Sequence, residues 1–322
     1  MSLKIYNGEH QFTPRADCVF LAYRGSIAHG TYIPSSDPNH VDDIDLMGFC
    51  VGNPEHYLGL KEWGSRGTVE ERPLPWDVVY YDIKKAVNLL LAGNPNIMSM
   101  LWTPAAYRLI ADDDVMELVK QRHLFVGKHV YPAFAGYAYA QLQKMTSRDP
   151  SDLREYLAIT AELKHRGKHP NEKGVEMPFT GERTSEMADV AHWDTEKLLQ
   201  RLKGYQKKGE NLGYLGDKRK QLVLEYGYDT KNAAHLVRLL RMCIEFMKTG
   251  NMTVDRRVAG DAQELRAIKS GKWKLSEVKK LSDTLFEDAK QAKDTSRLPE
   301  GPDTANVERL LVDILKGRLL LK

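Results

Sequence analysis

The sequence predicts an α/β protein of the α+β kind, a small mixed sheet at the N-terminus followed by an all-helical C-terminal region. Three observations carry that prediction. The first hundred residues hold three short apolar runs of strand length, rich in β-branched and aromatic residues. From about residue 112 onward the apolar residues recur at helical spacing, with Asp, Ser or Thr near the start of each segment. A chain of 322 residues is long enough for two domains or one large one, and its 42% hydrophobic content can fill a proper core. The expected boundary lies at residue 110, with domains 1–110 and 111–322.

Taken in order, "DCVFLAYR" (17–24) is a buried strand ended by Gly25, and "DLMGFCVG" (45–52) reads the same way. "PWDVVYYD" (75–82) is a third strand, with Asp77, Val79 and Tyr81 on one face and Val78 and Tyr80 on the other. "IKKAVNLLLAG" has helical spacing, with Asp82 as its N-cap and Gly93 as its stop. "NPNIMSMLW" begins a short helix after a proline turn, and its Met98, Met100 and Trp102 are better explained as interface core than as a base pocket. Helices follow in "DDDVMELVKQRHLF", "YPAFAGYAYAQLQKM", "SDLREYLAITAELKHR", "TKNAAHLVRLLRMCIEFMKTG", "TVDRRVAGDAQELRAIKSG", "SEVKKLSDTLFEDAKQAKD" and "TANVERLLVDILKGRLL". Residues 166–184 read as a polar loop. The stretch 201–220 carries seven Lys/Arg against two acidic residues, with Tyr205 and Tyr214 among Lys207, Lys208, Lys218, Arg219 and Lys220. That composition suits a nucleic-acid backbone with base stacking, and equally a solvated loop.

Bulk properties exclude several classes. No stretch approaches the roughly 18 uninterrupted apolar residues of a membrane span, and "MSLKIYNGEHQF" lacks the order of a signal peptide, so a cytoplasmic protein is expected. Cys18, Cys50 and Cys243 are distant in sequence, odd in number and set in apolar surroundings, which argues against a disulfide framework or a cysteine zinc site. A net charge of +3 is too mild to identify a nucleic-acid binder by itself. No heptad seam points to a coiled coil, and the oligomeric state stays open.

The chemistry concentrates in "RGSIAHGTYIPSSDPNHVDDIDLMGFCV" (24–51). Asp43 and Asp45 open an extended run two residues apart, which puts both carboxylates on one face of a strand. Such a pair suits one or two Mg²⁺ ions, because hard cations prefer oxygen ligands and phosphates complete their shell. Taken singly, a Gly-Ser is uninformative and acidic pairs at strand edges are often solvated turns; their order between these strands is what favours function. Asp37 and Asp42 read as turn residues in "SSDPN" and its flank, and His29 as a partly exposed loop histidine.

Strand, Gly-Ser, short helical turn, then Asp-x-Asp opening the next strand resembles the nucleotidyltransferases of the DNA polymerase beta superfamily. The resemblance implies that Gly25 and Ser26 receive the triphosphate of an NTP donor, where Gly25 permits close backbone approach and Ser26 adds a hydroxyl. It implies that Asp43 and Asp45 bind Mg²⁺ (or Mn²⁺), and that a third carboxylate from a neighbouring strand completes the site. Asp77 is the position that matches; Asp82 falls on the other face and is a helix cap. More closely, "GSIAHGTYIPSSD…DDIDLMG", "DVVYYDIKKAVNLLLAGNPNIMSMLW" and "GYDTKNAAHLVRLLRMCIEFMKTG" look like predicted nucleotidyltransferases of bacteria and tailed phages. The chain departs from them in the inserted "SSDPNHVD" between Thr31 and Asp43.

A second constellation lies in "YDTKNAAHLVRLL". Lys231, His235 and Arg238 fall at i, i+4 and i+7 on a helix capped by Asp229, away from Ala233, Val237, Leu240 and Ile244, with Arg241 extending the stripe. A solvated face would explain it; a nucleotide-binding anion clamp is the functional alternative. Together these features predict a Mg²⁺-dependent nucleotidyltransferase whose 1–110 domain is catalytic and whose 111–322 domain binds the acceptor and closes the cleft. An RNA 3′ end, tRNA first, is the expected acceptor. A protein or small-molecule hydroxyl is the alternative within the enzyme class, and a catalytically silent nucleotide- or RNA-binding module is the alternative outside it.

Overall fold

The computed structural model describes residues 5–7, 10–34, 43–146, 149–168, 185–207 and 216–320. Its strands are β1 (Ile5–Asn7), β2 (His10–Phe12), β3 (Cys18–Tyr23), β4 (Ile44–Cys50), β5 (Thr68–Glu71), β6 (Trp76–Asp82) and β7 (Arg108–Ala111). β1 and β2 form an antiparallel pair, and the others form one mixed sheet in the order β5-β6-β4-β3-β7 among the described residues. β4 and β6 run parallel; the remaining neighbours are antiparallel.

The order follows from the side chains. β4, "IDLMGFC", is buried from Leu46 to Cys50 and takes the centre, as a continuous apolar run must. β5, "TVEE", and β7, "RLIA", are short and partly polar, and they take the edges. One sheet face packs Phe12, Leu21, Ile44, Leu46, Trp63, Trp76, Val78 and Tyr80 into a single cluster. Phe20 stacks on Phe49 with centroids 5.4 Å apart. Each such large apolar side chain contributes roughly 1.5–3 kcal/mol on burial.

Helices α1 (Gly25–Ala28), α2 (Ile83–Leu91), α3 (Pro95–Trp102), α4 (Asp113–Lys120), α5 (Val130–Thr146), α6 (Pro150–His165), α7 (Thr195–Lys207), α8 (Asp217–Tyr226), α9 (Thr230–Thr249), α10 (Arg256–Ala259), α11 (Ala262–Lys269), α12 (Leu275–Asp294) and α13 (Thr304–Leu320) supply the rest, so the chain is α+β. Asp82 caps α2 by accepting from Lys84 N at 3.0 Å, and Gly93 follows its end with φ +68°. Asp229 immediately precedes α9 and accepts from Asn232 N at 3.0 Å. No helix of the described residues is long and apolar enough to cross a membrane.

The chain divides into two compact units. One comprises residues 1–139, 234–267 and 279–322, and the other 140–233 and 268–278. The division at residue 110 is one of expected roles; compactness cuts the chain differently, because Trp102 packs edge-to-face on Phe246 and donates to Asn251 Oδ1 at 3.1 Å. Met98 and Met100 are fully buried in that same unit. The second unit has its own core of Leu153, Tyr156, Ile159, Leu163, Leu198, Leu202, Tyr205 and Val223.

Several expectations are corrected. Read as one helix, 253–271 is two, broken by Gly260 at φ +88°, where the left-handed backbone stops α10. The described ends of the basic stretch 201–220 belong to α7 and α8, and Tyr205 is buried with 2% exposure, so no face of its ring is open to a base. Lys208 and Tyr214 lie outside the described residues, as do the whole of the inserted "SSDPNHVD" with its Asp37 and Asp42, and residues 169–184 of the expected loop. Cys18 and Cys50, distant in sequence, are opposite each other in the β3–β4 register; both thiols are free, as is that of Cys243.

Candidate functional site

β3 ends at Tyr23, and Arg24 continues it in extended backbone, φ −125°. Its N–H donates to Asp45 O at 3.0 Å, so the end of β3 is tied to the start of β4. Gly25 then turns the chain with φ +60°. A side chain there would be strained, and its Cβ would fall 2.2 Å from Asp45 Oδ2. The glycine thus lets a carboxylate sit against the turn, a role that close approach of a phosphate did not anticipate.

α1 is a single turn, closed by His29 N to Gly25 O at 3.1 Å and followed by Thr31 N to Ser26 O at 2.8 Å. Ser26 is 7% exposed, and its Oγ has no hydrogen-bond partner among the described residues. His29 is buried, against expectation: its Nδ1–H donates to Val254 O at 2.9 Å, and its own carbonyl accepts from Arg256 N at 3.2 Å. It is a structural clamp on the segment before α10, with no open face for a phosphate.

The carboxylates come from two neighbouring strands. Asp45 of β4 and Asp77 of β6 are direct partners in the parallel register. Both are half-buried. Parallel pairing with aligned ends is what brings them together, since Ile44 faces Trp76 and both of these apolar residues go to the core. Asp43 stands exposed just ahead of β4, on the same parity as Asp45. Asp77 Oδ1 is buried with no hydrogen-bond partner among the described residues, and Arg72 Nε lies 3.7 Å from it.

Arg24 completes the group. Its Nε donates to Leu46 O at 3.2 Å, and its Nη2 lies 3.7 Å from Asp45 Oδ1 and 3.6 Å from Asp77 Oδ2. A cation therefore already spans the two carboxylates, in the place where their charges must be neutralised. Neither Arg24 nor Arg72 was picked out from the sequence, where a lone arginine beside a glycine carries no pattern. Tyr81, on the same parity as Asp77, has its hydroxyl pushed above its ordinary range by burial, with the charge of Arg24 opposing.

No group of three or more His, Cys, Asp or Glu side chains close enough to hold a metal is formed among the described residues. Asp43, Asp45 and Asp77 nevertheless offer what a hard cation prefers: carboxylate oxygens, one of them buried and without a hydrogen-bond partner among the described residues.

The basic stripe of α9 is less uniform than its spacing suggests. Lys231 and His235 are half-buried, and Lys231 belongs to the second compact unit while His235 and Arg238 belong to the first. Arg238 is 8% exposed, donates to Met242 Sδ at 3.3 Å and has an unpartnered Nε among the described residues. Burial, with nearby Arg256 adding to it, lowers its pKa to about 9. Arg238 is therefore no part of a solvated face. Arg241 pairs with Asp261 at 2.9 Å and Glu264 at 2.7 Å, which gives it a structural employment.

Comparison with known proteins adds one positive finding. The model of the RNA repair pathway DNA polymerase beta family matches residues 5–313, nearly the whole chain. No curated protein and no solved structure matches it.

Proposed function

We propose a reaction for this chain, which belongs to the RNA repair pathway DNA polymerase beta family: transfer of a nucleoside monophosphate from an NTP to a hydroxyl at an RNA 3′ end, tRNA first. The acceptor oxygen forms a bond to the α-phosphorus and gives up its proton. The bond between the α-phosphorus and the bridging oxygen breaks, and pyrophosphate leaves with the electron pair. The observation that carries this proposal is the facing pair Asp45 and Asp77, in register beside a buried serine hydroxyl that nothing described bonds.

Asp43, Asp45 and Asp77 would hold Mg²⁺ or Mn²⁺, which when bound neutralises the donor phosphates and polarises the reacting oxygens. Ser26 Oγ–H donates to a phosphate oxygen and so acquires the partner it lacks. Gly25 keeps Asp45 against the turn, so that the phosphate site and the carboxylates share one wall. Asp77 Oδ1 orients the attacking hydroxyl. His235 and Arg238, which share the compact unit of Gly25 and Ser26, are assigned second, as contacts to the donor phosphates, and the helical part of 111–322 to the choice of acceptor. Catalysis is then mainly positioning and charge neutralisation.

The test incubates the purified protein with Mg²⁺, each of four α-³²P-labelled NTPs, total RNA and protein extract, beside Asp45→Asn and Asp77→Asn variants and an EDTA control. Label in RNA with the wild type, reduced at least about 10²-fold in either variant and absent in EDTA, is the expected result. Label in protein would move the acceptor to a protein hydroxyl. Bound NTP with no label in any fraction would make the chain a binding module.

A further inference from the structure

Resting on the assignment of Asp45 and Asp77 as cation-binding carboxylates, we infer that Arg24 is their resident counter-cation: a positioning residue that competes with the divalent ion for both and so sets when the site accepts it. Two carboxylates held in register on adjacent strands repel each other unless a positive charge lies between them. Here the charge is built in. Arg24 Nη2 lies at 3.7 and 3.6 Å from the two, distances that neutralise without forming close hydrogen bonds. The guanidinium is held from behind, since its backbone N–H is bonded to Asp45 O and its Nε to Leu46 O, which fixes its approach along β4. Its side chain is only 24% exposed, so solvent does not screen the contact fully.

The arrangement has a functional consequence. An ion entering between the carboxylates meets a positive charge already there, and binding without a nucleotide is penalised. A nucleotide's polyphosphate reverses the balance. It brings several negative charges to the neighbouring Ser26, and Arg24, adjacent in sequence to the Gly25 turn, then faces an anion as well as two carboxylates. Ion and nucleotide should therefore bind cooperatively through Arg24, each making room for the other.

The experiment measures Mn²⁺ binding by the loss of the free-ion electron paramagnetic resonance signal, with and without a non-hydrolysable NTP analogue. It compares wild type, Arg24→Gln, Arg24→Lys and Asp45→Asn, each checked for folding by circular dichroism melting. Arg24→Gln should bind Mn²⁺ about tenfold more tightly than wild type without nucleotide, the order expected for removing one partly screened charge. The same variant should lose most of the analogue's enhancement of Mn²⁺ affinity, whereas Arg24→Lys keeps part of it. Equal Mn²⁺ affinity in wild type and Arg24→Gln overturns the inference and leaves the carboxylate assignment standing. Loss of Mn²⁺ binding in Asp45→Asn alone supports that assignment. No Mn²⁺ binding by any form overturns both.

Discussion

Ser26 buries a hydroxyl that no described group bonds, and a buried hydroxyl without a partner costs about 1–3 kcal/mol. Ser26→Ala should therefore leave unfolding free energy within about 0.5 kcal/mol of wild type, or raise it, while slowing nucleotidyl transfer by about tenfold or more. Denaturant melts and the labelled-NTP assay on one preparation check both halves. A structural serine would instead lose stability and activity together. At this scale order and parity single out Asp45, Asp77, Gly25 and Ser26 in the sequence as candidates, and the strand register adds that the two carboxylates face each other. Arg24 escaped because its partners are 21 and 53 positions away along the chain, and only the strand register makes them neighbours. His29 was misjudged for the same reason, since the carbonyl that buries it belongs to Val254.

Among the elements, the turn from α10 to α11 holds a dense ion network. Arg256 is 2% exposed, with Nε and Nη2 each 2.8 Å from Asp261 and Nη1 2.7 Å from Glu245. Burial alone would raise the pKa of Asp261, but hydrogen bonds and charge from Arg256 and Arg241 overcome it and hold the carboxyl below its ordinary value of 3.8. A carboxylate with a depressed folded pKa stabilises the fold fully above the unfolded pKa and loses that contribution as pH falls through the folded pKa. Wild type should accordingly lose melting temperature faster than Asp261→Asn on titration from pH 5 to pH 2.5. The variant should also be about 3–5 kcal/mol less stable at pH 7, because it leaves Arg256 short of a partner. Helix caps such as Asp82 were legible because a cap acts within one turn. The edge strands β5 and β7 were not, being four residues each and too polar to stand out. The helical ends of 201–220 were hidden by their lysines and arginines, which suit a helix as well as a loop.

For the molecule as a whole, the decisive fact is that the sheet's unit is discontinuous, drawing in 234–267 and 279–322. A fragment 1–110 would strip Trp102 of Phe246 and Asn251, the partners that now cover its ring and accept its indole N–H. It should therefore be insoluble, or show no cooperative thermal transition by circular dichroism, whereas the full chain shows one. Sequence periodicity revealed the change of character near residue 112 because that change is local. It could not reveal which distant helices return to the sheet, since packing partners leave no mark in periodicity. The same threading sets a clock on synthesis. At about 5–20 residues per second, a ribosome needs on the order of ten seconds or more to reach the last helices after the sheet has emerged. During that interval α2 and α4 wait without the helix that packs on both, and yield in a cell should depend on how well chaperones shield that uncovered apolar flank until α13 arrives.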